Sequence, residues 1–109
     1  MIDIIEHNID VIKDACNKHH VKELFVFGSA ARESDFTNKS DIDILVNFET
    51  LPLETNEQVF YVVENKERLE EELEKIFKRE VDLIEEKNIS NKYLRYFINK
   101  DKKLIYGVS

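Results

Sequence analysis

Phe25-Val-Phe-Gly28-Ser29-Ala-Ala-Arg32, joined by a polar connection to Ser40-Asp41-Ile-Asp43-Ile-Leu-Val46, is the stretch on which the fold turns. Glu23–Phe27 is short, β-branched and aromatic and stops at a glycine, so it reads as a buried strand. Asp41–Phe48 sets Ile42, Ile44 and Val46 at period two, which predicts a second strand with one apolar face. A short helix is expected around Ala30–Glu33, and Pro52 ends the second strand. Two strands this close, with a turn chemistry of their own between them, call for a sheet covered by helices.

The rest of the chain supplies those helices. Ile2, Ile5, Ile9, Ile12 and Cys16 recur at steps of three and four, which predicts one helix over 2–19. Residues 56–79 predict the main helix, with Leu69, Leu73, Ile76 and Phe77 inward and Glu70, Glu71, Glu72 and Glu74 outward. Val81–Ile84 reads as a third strand, Ser90 as the cap of a last helix through Ile98, and Lys103–Tyr106 as an extended tail. The order predicts a small α+β (α/β-like) domain, 1–109, with a mixed sheet of three to four strands flanked by helices.

Composition narrows the function classes. The net charge of −7, with Lys and Glu interleaved and no separate basic block, disfavours nucleic acid as a main ligand. No apolar run approaches the roughly 18 residues that cross a bilayer, and the N-terminus lacks the pattern of a signal peptide. A lone Cys16 offers no disulfide, so a cytoplasmic protein is expected.

Asp41 and Asp43 lie two apart on one strand face, where like charges repel and Asp is disfavoured. A divalent cation offsets that repulsion, and oxygen ligands of this kind suit Mg²⁺ or Mn²⁺ shared with substrate phosphates. Asp82 in the third strand is a candidate third carboxylate; equally, it is a charge that protects an edge strand. Gly28 lets the backbone approach a ligand, Ser29 adds a hydroxyl donor, and Arg32 offers a guanidinium to a phosphate tail. Singly, a Gly-Ser turn after a strand is usually structural, and an Asp-Ile-Asp pair can equally cap a turn or line a solvated strand end; in this order, the parts together suit in-line phosphoryl or nucleotidyl transfer.

His19 and His20 meet the dipole of the first helix, and His7 on that helix is too far away to share a zinc site with them. Residues 67–74 form a solvated face with Lys66, Lys75 and Lys78 as ion-pair partners. Tyr61, Tyr93, Tyr96 and Phe97 are read as core and interface residues, with Tyr93 and Tyr96 available to hold a partner.

Those segments, continued by Arg79-Glu-Val-Asp82-Leu-Ile-Glu-Glu-Lys87, Ile98 and Leu104-Ile-Tyr-Gly107, resemble the polymerase-β-type nucleotidyltransferase superfamily, in its minimal (MNT) branch. The resemblance implies that Gly28 and Ser29 bind triphosphate. It implies also that Asp41 and Asp43 hold two Mg²⁺ ions, and that Asp82 completes the site and helps activate the acceptor hydroxyl. Stand-alone members of this size resemble MntA-like antitoxins, which transfer AMP from ATP to a tyrosine of a HEPN-domain (HepT-like) RNase toxin. The alternative within the same branch is an antitoxin that neutralises its toxin mainly by direct contact, which the acidic surface supports. A small-molecule acceptor such as an aminoglycoside lacks support, because a chain of 109 residues leaves little room for a separate substrate domain. Two departures stand out: the Ser29–Asp41 connection is one residue longer than the family pattern, and Glu33 stands where a glycine commonly follows the arginine.

Overall fold

The computed structural model describes residues 2–107. Its elements are α1 (Asp3–Glu6), α2 (Ile9–Lys18), β1 (Val21–Phe27), α3 (Ser29–Arg32), β2 (Ile42–Phe48), α4 (Thr55–Phe77), β3 (Val81–Glu85), a 3₁₀ turn (Glu86–Asn88), α5 (Lys92–Asp101) and β4 (Lys103–Tyr106). The strands form one mixed sheet in the order β3-β2-β1-β4, the α+β architecture the sequence predicts. β1 pairs antiparallel with both β2 and β4, while β2 and β3 run parallel. A parallel neighbour requires a long crossover, and α4 supplies it.

Alternation along the strands splits the core between the two sheet faces. Leu24, Val26, Ile42, Ile44, Val46, Val81 and Leu83 point to one face, where they pack with Ile5, Ile12 and Cys16 and with Leu69, Leu73 and Phe77 of α4. Phe25, Phe27 and Leu45 point to the other, where they meet Ile89 and Ile98. The first face is the larger core. Truncating a fully buried leucine there, such as Leu73, costs about 2–5 kcal/mol.

Several local expectations need correction. The first helix is two helices, broken at His7–Asn8, where the Asn8 amide donates to the Ile4 carbonyl at 2.7 Å and competes with the helical ladder. The cap of α5 is Asn91, not Ser90: its side-chain oxygen accepts from the Tyr93 and Leu94 amides at 2.9 and 3.2 Å. The tail Lys103–Tyr106 is a paired edge strand. α4 stops at Phe77 because Lys78 turns left-handed (φ 56°). Among the described residues the close ion pairs of the acidic face of α4 are Glu64–Arg68 and Glu72–Lys18; Lys66 acts on Glu70 only at longer range, and Lys75 and Lys78 make no close pair. His19 is buried and bonds Glu72 at 3.0 Å, so its role is packing and pairing at the helix end. Tyr93, Tyr96 and Phe97 are exposed, not core. Among the described residues no helix is long and apolar enough to cross a membrane.

Candidate active site

Gly28 closes β1 with φ 67° and ψ −149°, a backbone region open in practice to glycine alone. A Cβ built there would collide with the Asp43 carboxylate oxygen Oδ2. The turn and the carboxylate therefore touch, and the missing side chain is what permits it. The Gly28 carbonyl accepts from the Ala31 and Arg32 amides at 3.0 Å, which starts α3. As first-turn residues, Ser29 and Ala30 have N–H groups with no carbonyl inside the helix to receive them. Ala30 and Ala31 are buried in the larger core, which anchors α3 on the sheet.

The strand register brings the carboxylates together. Asp43 lies opposite Phe27 on β1 and opposite Asp82 on β3, so all three share the face that carries Phe25 and Leu45. Neighbouring strands stand about 4.8 Å apart. Asp41 lies in the exposed coil just before β2, and Asp82 is exposed on the edge strand. Asp43 is half-buried, and its carboxyl is pushed up to about 6, first by desolvation, then by the Asp82 and Asp41 charges. Among the described residues no ion pair or side-chain hydrogen bond relieves any of the three.

Arg32 is near enough to favour the charged form of Asp43 slightly, but its guanidinium is engaged elsewhere. It donates to Asp35 at 2.9 Å and to Asp101, the last residue of α5, at 2.9 Å. To meet a phosphate it must share or leave these partners. Glu33, the residue after it, has φ 68° and lies 3.5 Å from Lys103. That left-handed angle gives a backbone reason for a glycine to be common at this position.

Sequence reasoning assigned no role to Arg79, yet Arg79 organises the approach to Asp41. Its guanidinium donates to the Ser40 and Thr37 carbonyls at 3.0 and 3.3 Å and lies 4.7 Å above the Phe36 ring. The loop that carries the extra residue is thus tied to the start of β3. Asp101 was missed as well, because a contact between residues 69 apart leaves no local signal.

The donor set suits a hard divalent cation: oxygen ligands only, repelling one another and open to solvent on one side. The three carboxylates do not close on one point, and among the described residues no group of three or more His, Cys, Asp or Glu has metal-binding spacing. A cation would have to draw them in by side-chain rotation. A cleft of about 230 Å³ lies elsewhere, at the far ends of β2 and β3 by Phe48, Gln58, Val62 and Glu85. The carboxylate cluster is an open surface site.

Comparison with known proteins gives the family and the fold. The model of the family described as "Polymerase beta, Nucleotidyltransferase" matches residues 10–109. A Methanocaldococcus jannaschii protein named "Putative protein adenylyltransferase" is 41% identical over 106 residues, covering 95% of this chain and 91% of that one. The crystal structure of a toxin–antitoxin with AMP-PNP superposes with a TM-score of 0.66 at 19% identity, covering 94% of this chain and 75% of that one. The complex of a tri-AMPylated Shewanella oneidensis HEPN toxin with its MNT antitoxin gives 0.61 at 18% identity, covering 94% and 72%. At those identities the two structures establish a shared fold.

Proposed function

The chain belongs to the polymerase-β nucleotidyltransferase family, and from that premise we propose that it transfers AMP from ATP to a tyrosine of a HEPN-domain partner protein. The observation that carries this reading is the contact of Gly28 with Asp43, itself in register with Asp82. A glycine turn suited to phosphate therefore abuts a cluster of uncompensated carboxylates. The name of the M. jannaschii relative supports protein as the acceptor class, and the toxin–antitoxin neighbours support the partner.

In this reading the Gly28–Ser29 turn holds the triphosphate through backbone N–H groups and the Ser29 hydroxyl. Asp41 and Asp43, with Asp82, would hold Mg²⁺, which when bound neutralises triphosphate charge. The acceptor hydroxyl attacks the α-phosphorus, the α–β phosphoanhydride bond breaks, and pyrophosphate leaves. Asp82, exposed beside Asp43, takes the proton of that hydroxyl. Arg32 exchanges Asp35 or Asp101 for the phosphate tail.

The test is label transfer from α-labelled ATP to a HEPN-domain protein. The double variant Asp41→Asn, Asp43→Asn should keep its fold and lose transfer. Full neutralisation of the toxin by that variant would sink the enzymatic reading. It would favour the second one, neutralisation by direct contact, for which the exposed aromatic residues of α5 speak.

A further inference from the structure

α5 is an amphipathic helix whose apolar side is mostly uncovered. Ile98 is its one buried residue, while Tyr93, Tyr96 and Phe97 are 70%, 62% and 59% exposed. With the half-exposed Leu94 they leave roughly 400 Å² of apolar surface open, taking about 150–250 Å² for each aromatic side chain. That is the size at which patches on single proteins are functional, and about half of the ~800 Å² that one partner brings to a standard interface. Tyrosine and phenylalanine are also the residues enriched at interface centres.

The position of this surface says what it meets. Tyr93, Phe97 and Asp101 follow at i, i+4 and i+8, so they share one helix face over about 12 Å. The last of them holds Arg32, the final residue of the helix that opens at Gly28–Ser29. The aromatic stripe therefore runs into the nucleotide turn. On the opposite side, Ile98 packs on the sheet face that carries Asp43 and Asp82. Charge adds a second constraint. Lys92 and Lys100 are exposed on α5 and have no ion pair among the described residues, whereas Lys102 and Lys103 behind it pair with Glu86 and Glu33, and its one acid, Asp101, is bound to Arg32. On a chain of net charge −7 this is a local basic border.

We propose that the exposed face of α5 is the docking surface for the acceptor protein, which meets it with an apolar surface bordered by Asp and Glu and so brings its acceptor hydroxyl to the carboxylate cluster. The proposal rests on the transferase reading above. The other uncovered stripe, Val59, Phe60 and Val63 of α4, is bordered by Glu57, Glu64 and Glu67, and among the described residues no side-chain hydrogen bond or ion pair links it to the Gly28 turn, so it serves as the comparison surface.

The experiment compares the full chain with Phe97→Asp and Phe60→Asp in transfer from ATP to a HEPN-domain acceptor. Phe97→Asp should raise the KM for acceptor by at least about tenfold, the effect of removing an interface hot spot. It should leave kcat at saturating acceptor and the affinity for ATP unchanged, and Phe60→Asp should change none of them. An unchanged KM in Phe97→Asp, or an equal rise in Phe60→Asp, overturns the proposal. So does sedimentation showing that Phe97→Asp splits a dimer of this chain, since a second copy then covers α5. Should the unmodified chain transfer nothing, the transferase reading fails by itself. Sedimentation of the mixed proteins still decides docking: a complex lost only in Phe97→Asp supports it, and one that survives refutes it.

Discussion

Replacing Asp43 with Asn should stabilise the metal-free protein at neutral pH, and the gain should fade as the pH falls. Burial and the neighbouring Asp82 and Asp41 charges raise this carboxyl from 3.8 to about 6. The folded chain therefore binds more protons than the unfolded chain between those values, so stability falls as pH rises through that window. The penalty is absent below about pH 4 and fully present above about pH 7. At full weight the rise corresponds to about 3 kcal/mol. Asp43 is only half-buried and Asp82 and Asp41 are exposed, so solvent screening brings the expected gain in Asp43→Asn to about 1–2 kcal/mol. Asn is close to isosteric and no ion pair among the described residues is lost. Urea unfolding of both proteins in EDTA at pH 4, 6 and 8 measures the difference directly. A variant less stable than the parent at pH 8, or a difference that ignores pH, would refute the reasoning that this carboxylate stands uncompensated.

Gly28→Ala should be strongly harmful: the angle φ 67°, ψ −149° costs an alanine about 1–3 kcal/mol before its collision with Asp43 is counted. Thermal melts should show the loss, and label transfer should fall further than Ser29→Ala makes it fall. Lys78→Gly should do the opposite, since Lys78 is exposed, left-handed and caps α4. A gain of about 0.5–1 kcal/mol in urea unfolding is expected, with catalysis untouched.

The parts of the fold legible in the sequence are those written in short periods. Alternation at Ile42, Ile44 and Val46 and helical spacing at Leu69, Leu73 and Phe77 specify which side each residue buries, and the structure buries all six. The order of the strands, the parallel pairing of β2 with β3 and the capture of residues 103–106 as a fourth strand depend on contacts between distant segments. The same division holds at the candidate site. The Gly28 turn and the Asp41/Asp43 pair stand out by residue type, whereas the Arg32–Asp101 bond and the Arg79 tether link chain segments far apart. The exposure of Tyr93 and Phe97 was hidden for another reason: a partner-facing helix and a core-facing helix carry the same amphipathic pattern.

β3 is five residues long, lies at the edge of the sheet and is held on one side only. Strands of this kind open locally at less free energy than the whole domain. When β3 detaches, Asp82 leaves and the Arg79 tether on the loop before Asp41 loosens, while Asp43 and the Gly28 turn stay where they were. On gentle heating or in low denaturant, catalysis should then fail while most of the helical signal persists. Loss of activity would precede loss of structure, and the gap between the two curves would report the strength of a single parallel strand pair.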